Sequence, residues 1–494
     1  MVNQQLLDYI KQQLQQGIDA NQIKQVLLNN GWQNNDIEEA FNIIMSKPVL
    51  LKKRKWKKII FITVSILLIF GLFLFLLPEF LNLFAKDITP IDDSDLQLQK
   101  VFVSDKDNAY FDLIKIKDVI YMPKDKLPTI LDMVAGKTWD NQFAEEIISK
   151  NSEAFKYFSE AVLKPKYQNP TYADPEKIFN NYISSPSTIL SVLDQMSRLS
   201  AIQALYLAKQ NKDEEALNEA LNSVNIGQKI QDSQDYLLEY ITGTKMKERG
   251  LETMQKIISS SNLKSSELKK YAQELDKFYN NETGLITAFK IEYYIQSFTV
   301  DSIVRGVMKM LKSLFEDKEN QYYEIIKKIE NNYYFQPNKT KLLFAEDARA
   351  NIKNVNQSCG EININTSKKL TPTNPIRLYI EENVVGKMLY DVLTTSLADI
   401  IRKKCQEDLL VGATQAIIAI KAYKNDTGNY PNSLNELIPN YLSSIPKDPF
   451  DKKPLKYSLT KKIIYSVGED VEDSGGSTGN DWRKMADPTF QINF

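Results

Sequence analysis

The chain has no histidine and only two cysteines in 494 residues, so the chemistry open to it is narrow. Without imidazole there is no Ser-His-Asp or Cys-His nucleophile, no HExxH or Cys2His2 zinc site and no histidine-ligated haem. Carboxylates, Lys, Tyr, Ser and Thr remain. A glycoside hydrolase needs only two acids, which keeps a carboxylate-based cell-wall or glycan hydrolase as an alternative function. The adjacent acids Glu145-Glu146, Glu214-Glu215 and Glu381-Glu382 nevertheless read as solvated helix faces, and no pair stands out by spacing. No catalytic residue is assigned. Cys359 and Cys405 could pair in an oxidising compartment, closing a loop of about 45 residues worth roughly 3–4 kcal/mol; the other reading is two buried thiols.

The elements that would position these groups are set by one apolar run. Residues 59–77 contain no charged side chain, and at 1.5 Å per residue they give about 28 Å of helix, close to the hydrocarbon thickness of a bilayer. Lys52, Lys53, Arg54, Lys55, Lys57 and Lys58 precede the run, whereas Glu79, Lys86, Asp87, Asp92, Asp93 and Asp95 follow it. Positive residues stay on the cytoplasmic side. The expectation is a single-pass signal-anchor protein of the cell membrane, with its N-terminus cytoplasmic and residues 80–494 extracytoplasmic. The near-balance of 62 basic and 63 acidic residues gives no pull toward nucleic acid. Five regions follow: 1–48, a basic juxtamembrane segment 49–58, a transmembrane helix 59–79, a helical domain 86–405 and a C-terminal module 406–494. The expected fold class is mainly α, with a small N-terminal three-helix bundle, the membrane helix, a large extracytoplasmic helical domain and an α+β ending.

In the cytoplasmic piece, Leu6, Ile10 and Leu14 recur every four residues in a helix over about 4–16. Gly17 closes it and Asp19 caps a second helix in which Ile23, Val26 and Leu27 face inward. After Gly31-Trp32, a third helix beginning at Asn35 or Asp36 carries Ile37, Ala40, Phe41 and Ile44. Three short helices with a Gly-aromatic turn after the second resemble the ubiquitin-associated (UBA) fold over about a tenth of the chain. The resemblance implies docking of a cytoplasmic protein, with Gly31 and Trp32 at the contact; a core role for Trp32 is the other reading.

From 98 to 410 the pattern is mostly helical. Residues 188–210 and 214–231 form the clearest hairpin, and Ala208, Ala216, Ala220 and Leu221 there resemble one tetratricopeptide hairpin, without a second copy. Further helices are expected over 253–258, 266–278, 286–315, 320–331 and 381–403, with a long loop over 352–376.

Residues 406–494 change character. A helix over 407–423 leads to Thr427-Gly428, Tyr430-Pro431, a short helix at 434–437, Pro446, Asp448-Pro449-Phe450, strands near 455–458 and 463–467, and a loop rich in Asp and Gly. Together with Leu434, Leu437, Pro439, Tyr441, Pro454-Leu455, Tyr457, Tyr465-Ser466, Gly468, Asp470 and Gly475-Gly476, this order resembles the globular part of the major pseudopilin, type II secretion system protein G. In that family the final loop binds calcium. The resemblance implies Asp470, Asp473 and Asp487 as ligands, with Ser466 or Ser477 and backbone carbonyls completing the six to eight oxygens calcium takes. An ordinary solvated acidic turn is the other reading. The sequence departs from pseudopilins in having no acidic residue within 59–77 and no Gly-Phe-Thr site before it, which argues against prepilin processing. More loosely, 98–494 resembles uncharacterised bacterial membrane-anchored proteins with this ending, through Asp107-Asn108-Ala109-Tyr110, Gln336-Pro337-Asn338-Lys339-Thr340, Asn374-Pro375 and Ala486-Asp487-Pro488-Thr489-Phe490. The function expected is a non-enzymatic envelope protein acting in protein–protein interaction or assembly, linked to type II secretion or type IV pilus-like machinery. It would join a cytoplasmic partner through 1–48 to an extracytoplasmic protein or envelope component. An extracytoplasmic solute- or glycan-binding protein is the further alternative.

Overall fold

The computed structural model describes residues 3–46, 54–98, 102–170, 188–233, 235–279, 282–304, 331–362, 369–394, 397–479 and 481–494. The chain divides into two compact units, Met1–Leu77 and Pro78–Phe494.

In the first unit, α1 (Gln4–Gln15), α2 (Ala20–Asn29) and α3 (Asn34–Met45) close on a core of Leu6, Ile10, Ile23, Leu27, Ile37, Ala40 and Phe41. The side chains of Asn3 and Asp19 each accept a backbone N–H of the helix they precede, Gln5 at 2.9 Å and Asn21 at 2.8 Å. Gly17 and Gly31 sit at φ +81° and +86°. At each, the glycine and the residue after it donate back to the last helical turn (Gly31 to Leu28, Trp32 to Leu27), the left-handed ending that glycine adopts without a Cβ penalty. Two expectations are corrected. Val26 is 44 % exposed, because Ile23 and Leu27, four apart, already fill the inward face of so short a helix. The third helix begins at Asn34 after Gln33, one residue before the polar residues expected to start it.

The fourth helix, α4 (Arg54–Asn82), contains a stretch, Ile60–Asn82, long and apolar enough to cross a membrane, and none of it is buried in protein. It runs through Pro78 rather than ending there. Residues 47–53, most of the basic collar, lie outside the described residues.

The second unit is a stack of helices ending in a small sheet. Short helices α5 (Tyr110–Leu113), α6 (Leu127–Ala135), α7 (Asn141–Lys150) and α8 (Ser152–Leu163) pack on α9 (Thr188–Lys209) through Leu113, Ile130, Met133, Ile147, Phe158 and Met196. The helix α9 and α10 (Asp213–Gln231) form the expected hairpin. Beside it lies α11 (Leu237–Ser260), far longer than the 253–258 expected. The backbones of α10 and α11 touch: a Cβ on Gly243 would lie 2.7 Å from the Gly227 carbonyl oxygen, and one on Gly227 2.6 Å from that of Gly243. Glycine at both crossings is what lets the two helices approach so closely. The helix α12 (Ser265–Glu274) follows, and then α13 (Glu282–Val304), α14 (Pro337–Val355), α15 (Pro375–Ile380) and α16 (Val384–Leu393). The helix expected over 320–331 lies outside the described residues except for Asn331, as does 305–315 of its predecessor.

The largest difference from expectation is α17 (Leu397–Thr427), a single 31-residue helix. It joins the end of the helix expected over 381–403, whose earlier part is the separate α16, to the one expected over 407–423, and the boundary expected at 405/406 falls inside it. Residues 409–420 are buried on every side, packed by α11, α12 and the C-terminal strands. The charges that look like a linker are accommodated within the helix: Lys404 lies 3.6 Å from Asp408, and Glu407 pairs with Lys247 of α11. The strands β1 (Lys456–Ser458), β2 (Ile463–Tyr465) and β3 (Thr489–Gln491) form an antiparallel sheet in that order, with Tyr457 opposite Ile464 and Ile464 opposite Phe490. The first two strands were expected; β3 was not.

Candidate functional site

The acidic loop between β2 and β3 is held from below by the Asp448-Pro449-Phe450 turn. Asp448 is fully buried, and its carboxylate accepts the backbone N–H of Phe450 (3.0 Å) and of Val467 (2.9 Å) and the Ser466 hydroxyl (2.9 Å). Burial pushes its carboxyl up, and these three donors pull it back. It thus ties the exit of β2 to the turn. Beyond it, Gly468 at φ +69° brings the loop against its own return strand, where a Cβ would stand 1.8 Å from the Ala486 carbonyl oxygen. No other residue type fits there without moving the backbone.

Within the loop the three aspartates go separate ways. Asp487 is fully buried; its Oδ2 accepts the N–H groups of Ser474 (2.9 Å) and Gly476 (2.8 Å), while its Oδ1 is buried without a hydrogen-bond partner. Asp473 accepts the N–H of Gly475 at 3.1 Å and lies 3.4 Å from the Lys456 ammonium. Asp470 is exposed and accepts the N–H of Glu472 at 3.1 Å. Among the described residues no group of three or more acids or cysteines is gathered as a metal would require. Only the unpartnered oxygen of Asp487 fits a cation ligand as it stands; Asp470 and Asp473 are turned to other partners.

Arg483 carries the loop onto the helical layer. It lies 2.7 Å from Glu252 and 3.4 Å from Glu248 of α11, and its guanidinium covers the Trp482 ring at 4.5 Å. Glu248 is pushed up to about 7 by burial, against the pull of Arg483. On one side of Arg483 is a cleft of about 510 Å³ lined by Glu252, Gln255, Lys256, Asp481, Trp482 and Phe494. On the other is one of about 480 Å³, lined by Arg402, Gln406, Glu469, Asp470 and Lys484. Arg402 in its turn lies 2.6 Å from Glu469. Arg402, Arg483, Glu252, Glu469 and Asp481 are thus paired along the cleft walls, whereas Lys256 donates to the Val134 carbonyl and Asp470 is exposed.

The remaining sequence candidates are placed as follows. Cys359 and Cys405 are bonded to each other. Trp32 is half-buried, packing on the three-helix core with part of its ring outside, and Gly31 supplies the left-handed turn before it. Sequence reasoning missed Lys247–Glu407 and the buried carboxyls Asp235 and Glu239, which are isolated charges in helical patterns and carry no local signal. No family model, curated protein or solved structure matches the chain.

Proposed function

We propose that the protein is a single-pass membrane-anchored, non-enzymatic interaction protein, with residues 1–48 docking a cytoplasmic partner and residues 80–494 presented outside. The observation that carries this reading is the unburied apolar stretch Ile60–Asn82, which follows a three-helix unit with a core of its own. The basic residues before it and acidic residues after it support the orientation. Glu252 and Asp481, the acids of the larger cleft, both lie against Arg483, at 2.7 and 3.8 Å, which supports a structural role over proton transfer. Protease added to intact cells is expected to digest 80–494 and leave an N-terminal fragment that stays with membranes after alkaline extraction. A protected C-terminal region, or release of the chain by alkali, would overturn the proposal.

The resemblance of the C-terminal ending to a pseudopilin module adds calcium to this reading, supported by the vacant Oδ1 of Asp487 and the glycine turns beside it. Millimolar calcium is expected to raise the melting temperature of the full chain in detergent, since a ligand bound only by the native state stabilises it by mass action. Asp487→Asn, which removes the charge of the loop aspartate with the unpartnered oxygen, is expected to shrink that shift, and Asp470→Ala, at an exposed position, is expected to leave it unchanged. No shift in the unaltered protein removes calcium from the proposal.

A further inference from the structure

Following α8, the chain carries Tyr167 and Asn169 to the start of α11, where they meet two carboxyls. Asp235 stands just before that helix and Glu239 in its first turn, 3 % and 0 % exposed. Glu239 accepts on both oxygens, from the Tyr167 hydroxyl at 2.9 Å and the Asn169 side-chain amide at 2.7 Å. Asp235 accepts the backbone N–H of Asn169 on Oδ2 at 3.2 Å, and its Oδ1 is buried with no donor. The two carboxyls are within hydrogen-bond reach of each other. Among the described residues, no lysine or arginine acts on either. The titratable groups facing them are Tyr110 of α5 and Tyr167, both phenols pushed up by burial and by these acids, with the Ser233 hydroxyl beside Asp235.

Two bare carboxylates side by side, out of water and without a counter-ion, repel one another strongly. One proton between them removes the repulsion. It also uses the one vacant oxygen: because both oxygens of Glu239 already act as acceptors, the proton fits on Asp235 Oδ1, donating to Glu239.

We propose that Asp235 and Glu239 share a single proton, and that this proton is a pH-sensitive latch holding residues 167–169 on the start of α11. Loss of the proton leaves two buried charges with no lysine or arginine among the described residues to balance them, and the segment comes away to let water in. Burial raises Asp235 to about 6 and, with the charge of Asp235 added, raises Glu239 well above the carboxylate range. Raised carboxyls set the sign. The latch contributes fully at pH below ordinary carboxylate values and weakens as pH rises: the folded pair gives up a first proton near 6 and the shared one only in the higher range of Glu239, where the latch is lost. If opening releases one proton, its equilibrium shifts by up to about ten-fold per pH unit. A protein whose larger unit faces the outside would meet such changes directly, although the latch itself does not depend on topology.

Glu219, Glu248 and Glu292 are each also pushed up to about 7 by burial, so global melting mixes several groups. The test is therefore local. Hydrogen exchange of the backbone amides at 167–169 is followed in the full chain in detergent from about pH 5 to about pH 8, corrected for intrinsic rates. Protection is expected to fall by about ten-fold or more across that range. Asp235→Asn keeps an N–H donor toward Glu239 without a titrating proton, and is expected to flatten the profile. Glu239→Gln is a second non-titrating variant, should the first fail to fold. Protection that does not change with pH in the unaltered protein overturns the latch, as does a folded Asp235→Asn protein that follows the unaltered curve.

Discussion

Replacing Glu407 with alanine is expected to cost about 3–5 kcal/mol of stability, read by equilibrium denaturation of the full chain in detergent. Lys247 and Glu407 are both wholly buried and paired across the contact between α11 and α17. Lys247 also donates to the Gln228 side chain at 2.6 Å and to the Phe278 carbonyl at 2.8 Å, while Glu407 accepts from Gln231 at 2.6 Å. Removing the carboxylate leaves an ammonium in the core with dipoles but no counter-charge, and that isolation is the dominant loss. The joint variant Lys247→Met/Glu407→Leu removes both charges and is expected to recover most of the stability, since well-packed apolar side chains replace buried ion pairs at little cost. The pair also organises three helices at once, because Gln228 and Gln231 belong to α10 and Gln231 reaches Thr244 of α11 at 2.8 Å. A joint variant as unstable as Glu407→Ala would show that residual polar groups, and not the isolated charge, set the cost.

Cys405→Ser is expected to lose about 4 kcal/mol. The bond joins positions 46 apart, and closing a loop of that length restricts the unfolded chain by about that much. Its place in the fold gives a second, local consequence. Next to the bond, Cys359 and Gly360 donate their N–H groups to the carbonyls of Pro449 and Phe450 at 3.1 and 3.2 Å, and a Cβ on Gly360 would lie 2.8 Å from the Phe450 carbonyl oxygen. The bond holds this loop on α17, while the two hydrogen bonds fasten it to the turn below the acidic loop. Reductant is expected to lower the denaturation midpoint of the unaltered protein and to leave that of Cys359→Ser/Cys405→Ser unchanged. Faster exchange at 358–361 is expected to accompany it. Equal midpoints with and without reductant would mean that the bond adds no net stability.

Legibility differed sharply between parts of the chain. The N-terminal bundle and the membrane-length helix are local matters. Their apolar spacing, the Asp19 cap and the glycine endings act within a few residues, so they were readable without a partner. The α9–α10 hairpin was readable for the same reason. The central helix was not. Its run of charges at 402–408 suggests a seam until Lys247, distant in sequence, is placed beside Glu407. The third strand carries too few residues for a period, and it exists because β2 offers it an edge.

The candidate site divides along the same line. The resemblance put Asp470 first among the ligands, with Asp473 and Asp487 next, and nothing in the sequence shows that Asp470 and Asp473 turn to the loop's own backbone. Backbone N–H groups nearby claim both. The sequence by itself determined the membrane-length helix, the three-helix core and the absence of imidazole chemistry, because composition and short-range periodicity suffice for each. Only the tertiary structure decided that residues 78–494 form one unit, that the two cysteines meet, and that Asp235 and Glu239 lie together with no lysine or arginine acting on them among the described residues. Burial removes the water that would otherwise screen such charges, so their behaviour depends on neighbours that chain order does not reveal.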